Sequence, residues 1–165
     1  MKYYAGIGSR ETPKDIRKVI TSLSSKLEDK GWILRSGGAN GADAAFESGV
    51  KSPENMEIFL PETTFNGRSA TNPGYISIMM LEAYEDAMNT VSKYHPATHK
   101  LSPFAKRLMA RNSMQVLGQD LKTPSSMVIC WTPNGEVVGG TGQALRIAND
   151  YDIPVFNLGK PDVLR

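Results

Sequence analysis

Trp32-Ile33-Leu34-Arg35-Ser36-Gly37-Gly38-Ala39-Asn40-Gly41-Ala42-Asp43 is the stretch that decides the fold. Trp32 to Arg35 reads as a β-strand, the next residues form a glycine-rich turn, and an alanine-rich helix follows from Ala42 to about Ser48. A strand that runs through glycines into a helix is the repeating joint of an α/β sheet, and this chain carries two more. Tyr3-Tyr4-Ala5 leads into Gly6-Ile7-Gly8-Ser9-Arg10, and the apolar run Met127–Trp131 is followed, after a turn at Pro133-Asn134-Gly135, by Gly139-Gly140-Thr141-Gly142. That last glycine run opens a helix through Ala148.

Between these joints the same alternation continues. Thr12 reads as an N-cap with Pro13 at the first helical position, and Asp15 stands three residues after the cap. Ile16, Val19, Ile20, Leu23 and Leu27 keep helical spacing, and Gly31 closes that helix. Met56 to Leu60 is a third strand stopped by Pro61, and residues 62–74 carry the turn signals Asn66-Gly67 and Asn72-Pro73-Gly74. A helix is expected from Ile76 to about Lys93, broken at His95-Pro96; Ser102-Pro103 then caps a helix to about Gly118, and Ile153 to Leu158 is the last strand. Strands alternating with helices imply right-handed crossovers and a parallel sheet covered on both faces. The expected architecture is α/β, a Rossmann-like three-layer sandwich with a mainly parallel sheet of about five strands, forming one nucleotide-binding domain over residues 1–165. Ligands of such sheets bind beyond the carboxyl ends of the strands, where strand order reverses.

Composition narrows the setting. With 165 residues, 40% apolar and 22% charged, the chain suits a single globular domain. Cys130, the single cysteine, allows no internal disulfide and points to a reducing, intracellular compartment. No apolar run has the length of a membrane span, and Met1-Lys2 leads into no signal-peptide core, so a cytoplasmic protein without membrane association is expected. A net charge of +2 argues against a surface that grips nucleic acid throughout but allows a local basic site.

Eight of the fifteen glycines fall in the three loops: Gly6 and Gly8; Gly37, Gly38 and Gly41; Gly139, Gly140 and Gly142. All three loops belong at one edge of the sheet, each backed by a helix N-terminus with unpaired N–H groups and partial positive charge, which favours phosphate over the alternative that the glycines only make tight turns. The familiar fingerprints fail. Ser9-Arg10-Glu11 follows Gly8 where a dinucleotide motif needs its third glycine, and Arg35-Ser36 ends the second strand where an acidic residue would hold a ribose diol. There is no Walker A sequence, nucleophile elbow or zinc helix, and no cofactor is expected.

Residues 87–119 contain no acid but carry Lys93, Lys100, Lys106, Arg107 and Arg111, with His95 and His99 among them. Lys106 and Arg107 suit a solvated helix face. Arg111 has the spacing of Phe104, Leu108 and Met114, so it is placed toward the sheet, where it suits a phosphate or carboxylate. Pro96 spoils the alignment of His95 with His99 and no further ligand completes a set, so no metal site is assigned. Cys130 reads as core, and Trp131, at its strand end, as either core or a base-stacking ring.

Ser36-Gly37-Gly38-Ala39-Asn40-Gly41-Ala42-Asp43 is similar to the second-strand loop of the DNA-processing protein A (DprA/Smf) family, and Gly139-Gly140-Thr141-Gly142-Gln143-Ala144 resembles the glycine-rich turn after its fourth strand. Both lie within the SLOG superfamily, which also holds the "lonely guy" nucleotide phosphoribohydrolases. With Gly6-Ile7-Gly8-Ser9-Arg10 and His95-Pro96, the whole chain looks like compact stand-alone members often carried by bacteriophages. The resemblance implies a Rossmann-like fold that binds nucleotides or nucleic acid, frequently as a dimer. In the phosphoribohydrolases an Arg-Lys pair precedes the fourth strand and a glutamate follows the glycine turn. Here Arg111 matches the arginine, Asn112 replaces the lysine, and Leu145 or Arg146 stands where the glutamate is needed to stabilise positive charge on the ribose. Asp43 and Glu47, one helical turn apart, are the remaining candidate carboxylates, with Asp43 equally suited to a helix start.

The sequence thus leads to a phosphorylated nucleotide or nucleotide-derived signal, bound at the carboxyl edge of the sheet, with sequestration as one purpose of that binding. The expected contacts are Gly6, Gly8, Ser9, Arg10, Ser36, Gly37, Gly38, Asn40, Asp43, Arg111, Trp131, Thr132, Gly139, Gly140, Thr141, Gly142 and Gln143. The alternatives are nucleotide hydrolysis at the N-glycosidic or phosphate bond, using Asp43 or Glu47 with Arg111, and binding of single-stranded DNA in recombination. A homo-oligomer is expected.

Overall fold

A computed structural model of the chain describes residues 1–163. At its centre lies β1 (Lys2–Gly8), whose Tyr4, Ala5, Gly6 and Ile7 are all buried, as expected of a strand covered on both faces. β1 pairs in parallel with β2 (Trp32–Ser36) on one side and β7 (Val128–Trp131) on the other. Beyond β2 lie β3 (Met56–Leu60) and β6 (Tyr75–Ser77); beyond β7 lies β8 (Val155–Asn157). The sheet is six-stranded and parallel throughout, in the order β6-β3-β2-β1-β7-β8. The chain builds outward from β1 to one edge and then returns to the other side of β1. Strand order therefore reverses between β1 and β7, which places the crevice at their carboxyl ends.

One face is covered by α1 (Lys14–Asp29) and α2 (Ala42–Ser48), which with β1–β3 bury Tyr4, Ile20, Leu34, Phe46 and Ile58. The other carries α3 (Tyr84–Tyr94), α4 (Pro103–Leu117) and α5 (Gly139–Asp150), over Ile7, Val116, Val128, Cys130 and Ile147 in one cluster and Phe59, Ile78 and Met114 in another. Cys130 is buried there as expected. Among the described residues, no helix is long and apolar enough to cross a membrane.

Three local expectations are corrected. The sheet has six strands rather than about five, because Tyr75–Ser77 extends it beside Ile58–Leu60; the helix placed from Ile76 begins only at Tyr84. Pairing with an open sheet edge outweighs the helical spacing of Ile76 and its neighbours, and Gly74, at φ 89°, turns the chain into that pairing. Second, α1 starts at Lys14, one residue later than expected: Pro13 keeps extended backbone, and the Thr12 hydroxyl donates to the Ser9 carbonyl instead of capping. Third, residues 62–74 are not simple turns but contain a hairpin of β4 (Thr64–Phe65) and β5 (Arg68–Ser69), with Asn66 and Gly67 both at positive φ, as a two-residue hairpin loop demands. The Ser102 cap is as expected: its hydroxyl accepts from the Ala105 N–H, and Pro103 occupies the first turn.

Candidate functional site

The crevice at the β1/β7 switch has a volume of about 430 Å³. Gly8, Ser9 and Arg10 line it from the end of β1, Asp43 from α2, Arg111 from α4, Thr132 from the end of β7, and Gly139, Gly140 and Thr141 from the first turn of α5. Nine residues expected at the site therefore share one space.

Asp43 is in the crevice as expected, but its burial there was not foreseen. It is 4% exposed, and its carboxyl is raised to about 6 by burial. The neighbouring Arg111 guanidinium and the backbone amides of Ala39, Gly8 and Gly37 pull in the opposite direction. Amides from the first two glycine loops thus face an anion that the protein itself supplies. Arg111, in turn, donates to the Gly37 carbonyl and lies with its guanidinium 5.1 Å from the centre of the Phe65 ring. A side chain at Gly37 would have to displace the ends of three others: its Cβ would stand 2.4 Å from Gln115 Nε2, 2.9 Å from Asp43 Oδ2 and 3.1 Å from Arg111 Cζ. Ser9 is equally committed. Its N–H donates to the Trp131 carbonyl, and its own carbonyl accepts from Thr12 and Ala42.

The third loop is different. Val138 is the N-cap of α5 in extended conformation, and its carbonyl accepts from Gly142. The amides ahead of Gly142 precede the first intrahelical donor and head a helix with its positive end toward the crevice. A Cβ on Gly139 would meet nothing within 4 Å, and one on Gly140 only the tip of Met109 at 3.4 Å. Asn112 fixes this turn by donating from Nδ2 to the Gly140 carbonyl at 3.0 Å. Arg111 Nε and Gln115 Oε1, by contrast, are buried polar atoms with no hydrogen-bond partner among the described residues.

Of the other eight expected contacts, Gly37 sits behind Asp43 and Arg111, and seven lie elsewhere. Gly6 is a packing glycine, since a Cβ there would come within 2.7 Å of Leu34 and Phe46. Ser36 is buried in β2. Gly38 and Asn40 face the β4–β5 hairpin, both accepting from Asn66 Nδ2. Glu47 points away from the crevice: it binds Arg68 at 2.8 Å and accepts from the Tyr75 hydroxyl at 2.7 Å. Trp131 packs against the α1/α2 core. Gly142 and Gln143 are buried within α5, where Gln143 accepts from Arg146. Arg107 is not simply solvated, since it pairs with Glu62 at 3.3 Å. His95 accepts from the Ala97 N–H in the turn after α3. Arg35, noted for the acid it replaces, is 2% exposed and ties β2 to Glu57, Thr123 and Ser125.

Reading the sequence alone passed over Asn112 and Gln115 as parts of the site. The usable signal was helical spacing: Gln115 lies four residues after Arg111 and so shares its face of α4.

No family model matches the chain, and no curated protein does. Among solved structures, it is similar to DNA processing protein A from Helicobacter pylori, described for its mode of single-stranded DNA binding, with a TM-score of 0.64 at 19% sequence identity. The likeness covers 94% of this chain and 64% of that one, so this chain spans a little under two thirds of the other's length. At that identity it is the fold that the two share: a Rossmann-like α/β sheet of the DNA-processing protein A type.

Proposed function

We propose that the crevice between β1 and β7 binds the phosphate of a nucleotide or nucleotide-derived molecule, seated on the N-terminus of α5. The observation that carries this reading is the open first turn of α5, whose Gly139 and Gly140 leave room for a ligand to reach backbone amides. Arg10, exposed at the rim, supplies a positive charge, and Thr132, whose hydroxyl accepts from Asn157, closes the crevice near the sheet. Asp43 and Arg111 form the wall rather than the seat: Asp43 faces the amides of Ala39, Gly8 and Gly37, and Arg111 donates to the Gly37 carbonyl. This arrangement favours one phosphate per site over a long polyphosphate.

Isothermal calorimetry against nucleoside mono-, di- and cyclic phosphates tests the reading. Binding by at least one of them, weakened tenfold or more by Gly140→Val, is the expected result; no heat with any of them overturns it.

A second reading is attachment of single-stranded DNA, in which the same seat takes one backbone phosphate. It is favoured by the shared fold with a protein described for that binding. It predicts affinity that rises with strand length and falls steeply with salt. Hydrolysis at the N-glycosidic or phosphate bond is the remaining reading. Asp43 is its candidate group, because Glu47 is held outside the crevice by Arg68 and Tyr75. Product analysis on nucleoside monophosphates distinguishes turnover from binding.

A further inference from the structure

On the opposite flank of the second glycine loop, α1 and α2 border a separate groove of about 920 Å³, enough for a small-molecule ligand. One wall is α1, where Lys14, Lys18, Ser22 and Lys26 follow one another in four-residue steps. Lys14 and Lys26 line the same space, so the groove is continuous along that length of the helix. The facing wall is α2, whose Ala44, Ala45 and Ser48 are too short to fill it. Gly49 lets the helices touch, since a Cβ there would stand 2.4 Å from the Thr21 carbonyl, and the Thr21 hydroxyl donates to the Ala45 carbonyl at 2.8 Å. Packed helices, not a loop, therefore set its shape.

The lining is one-sided in charge. Lys14, Arg17, Lys18, Lys26 and Lys51 contribute to it and no acid does, in a chain whose net charge is +2. All five are exposed, and among the described residues none forms an ion pair, whereas Arg35, Arg68, Lys93 and Arg107 are each paired elsewhere. Glu28 stands near Lys51, but its carboxylate is taken up by the Lys51 and Ser52 amides and by Asn55. Like charges strung along one wall repel each other, and a bound anion relieves that repulsion.

We infer that this groove binds a short inorganic polyphosphate, an extended chain of phosphates that carries no base. What the lining leaves out selects this class. None of its residues is aromatic or leucine. It therefore offers no platform for a stacked nucleobase, no anchor pocket for a protein partner and no apolar face for a membrane. What it does offer is ammonium and guanidinium groups with the hydroxyls of Thr21, Ser22 and Ser25 between them, donors that suit phosphate oxygens. The cations lie in a row and not in a ring: Lys14, Arg17 and Lys18 share about one turn of α1, and Lys26 stands about 12 Å further along the axis. A single phosphate satisfies one end of that row, and a chain satisfies both. The site is independent of what the crevice binds, since the two share no lining residue.

The test is calorimetry of the full chain at physiological salt with inorganic pyrophosphate, tripolyphosphate and a longer linear polyphosphate of defined length. Affinity should rise along that series. For the longest chain it should fall at least tenfold in the charge reversal R17E/K18E/K26E, with R17Q/K18Q/K26Q in between. Ser48→Phe fills the groove from the α2 side without changing any charge, and it should also weaken binding severalfold; a diffuse ion atmosphere around exposed lysines would not respond to it. All four positions are exposed, and thermal melting followed by circular dichroism checks that each variant folds. Amide NMR with tripolyphosphate should show shifts at Lys18, Thr21 and Ser48. No heat with the longest chain, unchanged affinity in the reversal or in Ser48→Phe, tighter binding of an oligothymidine of equal charge, or shifts confined to Gly139 and Gly140 would each overturn the proposal. Calorimetry with nucleoside monophosphates reads the crevice separately, so either reading can fail without the other.

Discussion

The turns after β2 and after β7 have the same composition and opposite fates. Both are glycine-rich, both open a helix, and both sit at the carboxyl edge of the sheet. After β2, the amides of Gly37 and Ala39 face the buried Asp43 carboxyl, Gly37 is walled in by Gln115 and Arg111, and Arg111 reaches across to its carbonyl. After β7, Gly139 and Gly140 face open space and the first turn of α5 has no acidic residue. Glycine marks where backbone can approach an anion; it does not specify whether that anion is a ligand or the protein's own side chain. In this chain one loop is completed internally and serves as framework, and the other is left open.

The largest effect should come from breaking the closed loop. Arg111→Met takes the nearby cation away from the buried Asp43 carboxyl and removes the bond to the Gly37 carbonyl; a loss of about 3 kcal/mol in urea unfolding is expected, the upper range for a hydrogen bond from a charged group. Unfolding within 1 kcal/mol of the native chain would mean that Arg111 does not hold the wall.

Next is the acidity of that loop. Asp43 is raised to about 6 in the folded chain against an ordinary 3.8. The folded state therefore binds this proton more tightly than the unfolded state, and the associated stability is full below about pH 3.8 and lost as pH rises through 6. The shift corresponds to roughly 3 kcal/mol. Asp43→Asn has no such proton, so the melting temperature of the native chain relative to this variant should fall from pH 4 to pH 7. A constant difference across that range would contradict the assignment.

A pair of alanines contrasts the two loops directly. Gly37→Ala forces a Cβ against Gln115, Asp43 and Arg111 and should cost about 1–3 kcal/mol, as overpacking does. Gly139→Ala meets no atom, and its cost is that of positive φ, about 1 kcal/mol. Equal losses in the two would erase the distinction. The smallest effect is on binding: protonating Asp43 makes the crevice more positive, so a cyclic nucleotide, singly charged across the range, should bind several-fold tighter at pH 5 than at pH 7.5. The gain should vanish in Asp43→Asn.

Much of this was readable from sequence because parallel strands buried on both faces are near-continuous apolar runs. Trp32–Ser36, Met56–Leu60 and Val128–Trp131 are all strands within a residue or so of where their composition places them. β6 was not readable, since Tyr75-Ile76-Ser77 fits a helix start as well as an edge strand and only pairing with β3 decides. The same divide runs through the site. Helical spacing put Arg111 on the inner face of α4. Spacing could not say that Asp43 would turn into the first two loops while Glu47, one turn later, would turn out to Arg68 and Tyr75. Nor could it separate Gly6, which exists for the packing of Leu34 and Phe46, from Gly139, which packs against nothing.

The most direct measurement is amide NMR of the isotopically labelled chain during titration with the tightest-binding nucleotide phosphate from calorimetry. Saturable shifts should be largest at Gly139, Gly140 and Thr141, with smaller ones at Arg10 and little at Gly37 and Ala39. Shifts centred on Gly37 and Ala39, or none in the first turn of α5, would contradict an anion seat there.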